Sequence, residues 1–187
     1  MGREMTESLA GRLLIAAPHM DDPNFRKTVV LICHHDEDGA MGLVINRPHA
    51  TLKLAMIFEE AGISAEPGID ALPVYLGGPV EPTRGFVLHR AGEHFAATMD
   101  VPSGFALSAS RDALEAAATG KLAPFLFALG YAGWAPQQLE GELKANVWLV
   151  AEASSELVFK EAAHRRWDKA IASLGIDPRL LGEGGQA

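Results

Sequence analysis

The sequence predicts an α+β domain, a mixed β-sheet with short flanking helices. Three observations carry that expectation. Apolar runs rich in β-branched residues recur in pieces too short for helices. Glycine and acidic turn residues join them as in hairpins. Amphipathic segments fall irregularly among them, without strict βαβ alternation. With 187 residues, 48% hydrophobic and 21% charged, the chain can bury one sizeable core, so a single domain over residues 1–187 is expected, with residues 1–8 and 179–187 as mobile ends.

In chain order, residues 13–17 are a first strand candidate and residues 29–33 (VVLIC) a strand covered on both faces. The turn "HDEDGAMG" leads from there into Leu43, Val44 and Ile45, a hairpin. After Pro48, Thr51 is placed to cap a helix with Leu54, Phe58 and Ala61 on one face and Gly62 as its left-handed stop. "PVYLGG" is a strand ending in glycines, and "RGFVLHRAGEHFAATMDV" a second hairpin turning at Ala91-Gly92-Glu93. "GFALSAS" follows as a strand. Ser110 caps the helix "RDALEAAATG", with Asp112 in its first turn and Gly120 at its close. Residues 125–131 form a strand whose glycines permit close backbone approach. Pro136 suits the first position of "PQQLEGELKAN", which pairs Leu139 with Leu143 and ends at Asn146. "VWLVAE" is the last strand, and Trp167, Ile171 and Leu174 mark the inner stripe of a final helix stopped by Gly175 before Asp177-Pro178.

Charge and composition narrow the function. Sixteen Lys+Arg against 24 Asp+Glu leave a formal charge of −8, which opposes a polyanion unless the basic groups gather on one face. Cys33 is the single cysteine, so no intrachain disulfide forms and a cytoplasmic address is expected. The opening stretch, with Glu4 and Glu7, reads as mature protein rather than a secretory signal. Met1, Gly2 and Thr6 match an acylation pattern that short sequences meet by chance, so an untethered amino terminus is expected. "LAPFLFALGYAGWAPQQL" is broken by Pro124, Gly130, Gly133 and Pro136, and no membrane association is expected.

Read in order, "GRLLIAAPHMDDPNFRKTVVLI", "GAMGLVINRP", "LGGPVEPTRGFVLH", "LGYAGWAPQQLEGELKANVWL" and "RRWDKAIASLGIDP" resemble the bacterial AlgH/YqgE family over roughly residues 9–178. The resemblance implies one α+β domain with its sheets in a bifurcated, barrel-like arrangement. The family's common label, transcriptional regulator, implies a regulatory role, but the likeness implies no reaction. Where family members usually carry Gly before "QLE", this chain has Gln137, a good helix former.

Strands end in polar or glycine-rich turns at Asp22-Pro23, Asn46-Arg47-Pro48, Gly77-Gly78-Pro79 and Arg84-Gly85. Arg47 offers a planar donor array, Asn46 both donates and accepts, and Gly77-Gly78 lets backbone N–H groups approach an anion. With Asp22, Arg84 and His89 these are the ligand-binding candidates, and Asp22, Asn46, Arg47, Gly77 and Gly78 are expected to meet around one anion-sized hollow. The alternative is architectural, with Arg47 bridging to Asp22 or to a carbonyl. His34, His35, Asp36 and Asp38 have the composition of metal ligands, but neighbouring strand residues point to opposite faces, so a solvated turn and no metal are expected. Cys33 ends a buried run and reads as an inert thiol. His89 reads as a packed histidine, with a general base as the alternative.

The chain lacks G-x-S-x-G, G-x-x-x-x-G-K-[ST], H-E-x-x-H and C-x-x-C motifs, and no cofactor is expected. Arg165, Arg166 and Lys169 lie on the last helix, diluted by Glu161 and Asp168, as a solvated face. The leading expectation is a non-enzymatic regulatory module that binds a small anionic ligand or a protein partner. Two alternatives stand beside it. One is a hydrolase of small phosphorylated or acyl substrates, with Arg47 and Arg84 stabilising charge and His89 or Asp22 moving a proton. The other is direct DNA binding, which the acidic balance disfavours.

Overall fold

Alternation along the early apolar runs sends side chains to two separate cores, and that two-sidedness sets the architecture. The computed structural model describes residues 7–177. The acylation pattern, Pro178 and the tail from residue 179 lie outside the described residues. Strands β1 (Arg12–Ala16), β2 (Val29–Asp36) and β3 (Gly39–Val44) are antiparallel neighbours, with Leu13 opposite Leu31 and Leu31 opposite Leu43. Leu13, Ile15, Val29, Leu31 and Leu43 face one core, while Leu14, Val30, Ile32 and Val44 face another built around Trp134 and Trp148. The expected hairpin and the doubly covered strand are therefore both present.

The remaining strands are β4 (Pro48–Lys53), β5 (Pro73–Leu76), β6 (Val80–Arg90), β7 (Thr98–Val101), β8 (Phe105–Ser108), β9 (Phe125–Trp134) and β10 (Trp148–Glu152). The sheet runs β10-β1-β2-β3-β9-β6-β8-β7 and curls into a half-barrel, with β4 and β5 off this path. Strand β9 is the branch point. Phe127 to Leu129 pair in parallel with β5, and Ala132 to Trp134 pair antiparallel with β3. Between them Gly130 turns to φ 78, and a Cβ there would strike the Gly78 carbonyl, so glycine is required where one strand changes partners. This is the bifurcation the family resemblance implies.

Among the described residues four α-helices pack on the sheet, α1 (Leu54–Ala61), α2 (Arg111–Ala118), α3 (Gln138–Lys144) and α4 (Arg166–Ala172), the last preceded by a π-helical turn (Glu156–Lys160) and a 3-10 turn (Ala163–Arg165). Helices α1 and α2 cover a third core against β5, β6 and β9. Among the described residues no helix is long and apolar enough to cross a membrane.

Five local expectations are corrected. Thr51 lies in β4 rather than at a helix N-cap; the first helical N–H groups of Leu54 and Ala55 donate instead to the carbonyls of Leu72 and Asp70, both at 3.0 Å. The turn at Ala91-Gly92-Glu93 does not make a β6–β7 hairpin: β6 pairs with β8 and β9, and β7 pairs with β8 across the left-handed Ser103 and Gly104. Ser110 precedes α2 in extended conformation but makes no side-chain cap bond, because its hydroxyl donates to Asp112 and accepts from Ala97 N. Helix α3 begins at Gln138, not Pro136, since Gln137 takes φ 69. Leu174 is 38% exposed and lies in the turn after α4, outside the inner stripe of Trp167 and Ile171.

Candidate functional site

The ligand-binding candidates divide into four places. Asp22 lies in the β1–β2 loop, where its carboxylate accepts Asn24 N at 2.9 Å, an Asx turn. Asn46 follows β3 and reaches the same loop, accepting Val29 N and donating to Lys27 O, each at 2.9 Å. Arg47 donates through Nη1 to Asn24 O at 2.6 Å and through Nη2 to Arg26 O at 2.9 Å. The structure thus brings Asp22, Asn46 and Arg47 together, but as a clamp on loop carbonyls rather than around a hollow. Gly77 and Gly78 sit apart from them, against β9. Gly77 N donates to Leu129 O at 2.8 Å, and a Cβ on Gly78 would strike the Tyr131 backbone. Close strand packing, not anion approach, accounts for that pair of glycines. The expected common hollow is corrected accordingly.

His89 lies in a third place, fully buried on β6. Its Nδ1 contacts Arg90 O and its Nε2 contacts Ser108 Oγ, both at 2.8 Å. A carbonyl only accepts, so Nδ1 carries the proton and Nε2 accepts from the serine hydroxyl. Ser108 then accepts from Thr98 Oγ1 at 2.8 Å, which accepts Phe95 N at 2.7 Å. Burial is the chief cause that pushes the His89 imidazole below its ordinary value, partly offset by the Arg90 carbonyl. It is the packed histidine of the first expectation.

Arg84 opens onto a concave cleft of about 810 Å³ on the inside of the curled sheet. The apolar walls come from Met41, Phe86, Met99, Leu107, Tyr131 and Trp134, drawn from five strands, and Thr98 and His34 add polar groups. The Arg84 guanidinium lies 5.0 Å from the Phe86 ring centre and 3.7 Å from Glu81, with both charged side chains half exposed. An exposed pair of that length is weak, so Arg84 keeps most of its capacity for another anion. Such a cleft, mostly apolar with a few convergent polar groups, has the form of a small-molecule site. Of the ligand-binding candidates only Arg84 lines it.

The other groups singled out in the sequence are held structurally. Adjacent His34 and His35 face opposite ways: His34 contacts Asp36 at 2.9 Å on the surface, while buried His35 accepts Leu9 N and contacts Glu140, both at 2.9 Å. The Asp38 amide and then His34 hold the Asp36 carboxyl below its usual range. Burial pushes the Cys33 thiol up to about 12, leaving it protonated and unreactive at neutral pH. On the last helical segment Arg166 is buried and Arg165 pairs with Glu161 at 3.9 Å, so the basic trio shares no exposed face.

Sequence reasoning missed the cleft walls, because Met41, Met99, Tyr131 and Trp134 carry no charged group or metal-ligand pattern that would single them out. Their signal was faint: methionines in the short strand pieces "GAMG" and "TMDV", flexible apolar groups suited to an adaptable surface.

Comparison with known proteins matches residues 13–179 to the family described as AlgH-like. A UPF0301 protein of Paracoccus denitrificans is 44% identical over 182 residues, 95% of this chain and 96% of that protein. One from Caulobacter vibrioides is 47% identical over 175 residues, 91% of this chain and 89% of that protein. The solution structure of AlgH from Pseudomonas aeruginosa superposes with a TM-score of 0.78 at 41% identity, covering 97% of this chain and 96% of that one. Protein DIP2367 of Corynebacterium diphtheriae shares the fold, with a TM-score of 0.73 at 21% identity over 96% of this chain and 94% of that one.

Proposed function

The chain belongs to the AlgH-like family, and from that premise we propose that it is a non-enzymatic cytoplasmic module whose concave cleft takes up a small amphiphilic anion in a regulatory role. The observation that carries this reading is the cleft itself, an apolar hollow of about 810 Å³ with the Arg84 guanidinium at its wall. The apolar body of a ligand would displace water from Met41, Met99, Phe86 and Trp134, and its anionic end would meet Arg84. A non-catalytic role is supported by the state of the two proton-transfer candidates. His89 has both ring nitrogens engaged and no exposed surface, and the Asp22 carboxylate is used in its own turn.

Titration with the aromatic sulfonate ANS, displaced by decanoate, tests the reading. Saturable one-to-one binding is expected, weakened about two- to five-fold in Arg84→Ala, the range for an exposed ion pair, and largely restored in Arg84→Lys. Binding that ignores Arg84→Ala, or that fails to saturate, would remove the cleft from consideration.

A further inference from the structure

Arg166 is 3% exposed, yet its charge has no counter-charge within ion-pair distance among the described residues. Nε donates to Glu161 O at 3.0 Å, and Nη1 donates to Ile45 O and, at 3.2 Å, to the Tyr75 hydroxyl. The guanidinium carbon lies 5.4 Å from the centre of the Tyr75 ring. Every one of these partners is neutral, and among the described residues no carboxylate pairs with Arg166. Nη2 has no hydrogen-bond partner among the described residues, and since no buried side-chain nitrogen or oxygen there is left without one, Nη2 is the part of the guanidinium that remains open to solvent. A guanidinium does not shed its proton on burial as an amine does, so this positive charge stays inside the protein. Buried charges are ordinarily paired, because desolvation leaves an isolated one strongly disfavoured.

Beside this group the structure has a small recess of about 100 Å³, separate from the concave cleft. Arg166 and Tyr75 line it, and its other walls are apolar, including Leu72, Pro73, Phe125, Phe127 and Phe159. The Tyr75 oxygen already accepts from Nη1, which leaves its own proton to donate. The polar side-chain groups at the recess are thus donors only, a permanent cation and a phenol. Its volume matches about three waters at about 30 Å³ each, room for an anion of a few heavy atoms.

We infer that the recess between β5, β9 and the C-terminal helices is a binding site for a small monovalent anion, a carboxylate the size of formate or a halide, held by Arg166 Nη2 and the Tyr75 hydroxyl. The anion neutralises the guanidinium and docks the last helix onto β5, since Arg166 opens α4 and Tyr75 belongs to β5. The site is independent of the cleft and stands whether or not the cleft binds a ligand.

Thermal unfolding of the full chain tests it, titrating sodium formate against sodium gluconate at constant ionic strength, gluconate being too large for the recess. Formate is expected to raise Tm with the logarithm of its concentration above Kd, by about 3–6 °C at ten times its Kd. Tyr75→Phe should bind formate about ten-fold more weakly, and Arg166→Met should lose the response. If Arg166→Met does not fold, Tyr75→Phe and diffraction from bromide-soaked crystals decide: an anomalous peak within hydrogen-bond reach of Nη2 supports the site. Superimposable formate and gluconate curves, a formate response unchanged in Tyr75→Phe, or a recess holding only water in the bromide crystals would each overturn it.

Discussion

Gln137 holds φ at 69° while exposed, a left-handed conformation that places its Cβ against the following carbonyl. That clash is worth about 1–2 kcal/mol, and glycine escapes it at an entropic cost of about 0.4–1 kcal/mol in the unfolded chain. Gln137→Gly is therefore expected to stabilise the protein by roughly 0.5–1 kcal/mol, seen as a Tm rise of about 1–4 °C. A fall in Tm would mean that the Gln137 side chain contributes more than its backbone loses. His89 supplies a pH dependence. Burial first of all holds its folded-state value below the ordinary 6.5, so in acid the unfolded chain binds a proton that the folded one refuses. Its contribution is complete above 6.5, where both states are neutral, and stability is lost as pH falls below that value. His89→Gln keeps an acceptor for Ser108 but cannot charge. The wild-type Tm should thus fall more steeply than the variant's between about pH 6.5 and 5, and parallel curves would contradict the sign argued here.

At the scale of elements, α3 is fastened by two carboxylates, Glu140 on buried His35 and Glu142 on a pair of indoles. Glu142 Oε1 accepts both Trp134 Nε1 and Trp148 Nε1 at 2.9 Å, and its other oxygen accepts Gln138 Nε2 at 2.9 Å. The two indoles meet edge to face at 6.0 Å, and Phe25 packs on both, so β9, β10 and the β1–β2 loop close on a single acid. Glu142→Leu strands two buried indole donors, at about 1–2 kcal/mol each, and should lower stability by about 2–4 kcal/mol in urea unfolding. Glu142→Gln, which retains an acceptor, should recover at least half. Two of the three tryptophans report the site, so a red-shifted native emission is expected in the leucine variant and not in the glutamine one. The contrast shows which elements were legible beforehand. Strands with strong local pattern, residues 13–17, 29–33 and the long run from Phe125, were readable, as were the stops at Gly62 and Asn146, because burial on both faces and left-handed caps leave marks in sequence. The starts of α1 and α3 were not, since loop carbonyls from Leu72 and Asp70 replaced the cap expected of Thr51 and Gln137 took a left-handed turn, whereas Ser110 does stand at the N-cap position of α2. Nor was the pairing of β6 with β8, because local turn chemistry at Gly92 says nothing of which distant strand satisfies β6.

For the molecule as a whole, the conspicuous polar residues Asn46 and Arg47 hold loops, whereas the concave face is made of residues that each look like core. A curled sheet leaves the inner side of its open edge without a covering layer, so Met41, Met99 and Tyr131 stay partly exposed there although their alternation is that of buried strand residues. No single-residue pattern records that curvature, which is why the cleft was illegible and the fold largely was not. Gly133 gives direct access to its role. It lies on β9 opposite Met41 and lines the cleft, its φ is not in the left-handed region, and a Cβ would meet only Tyr131 at 3.7 Å and Val80 at 3.8 Å, ordinary contacts. Gly133→Ile should therefore be accepted by the fold, with Tm within about 2 °C of wild type or above it, since a β-branched residue suits a strand. Its side chain would nevertheless project into the hollow between Tyr131 and Val80 and exclude an apolar ligand body. Affinity for ANS is expected to fall by about ten-fold or more, a larger loss than removing the Arg84 charge produces, because the walls supply most of the binding through burial. If Gly133→Ile folds as wild type and binds ANS unchanged, the ligand lies elsewhere and the concave face serves another purpose.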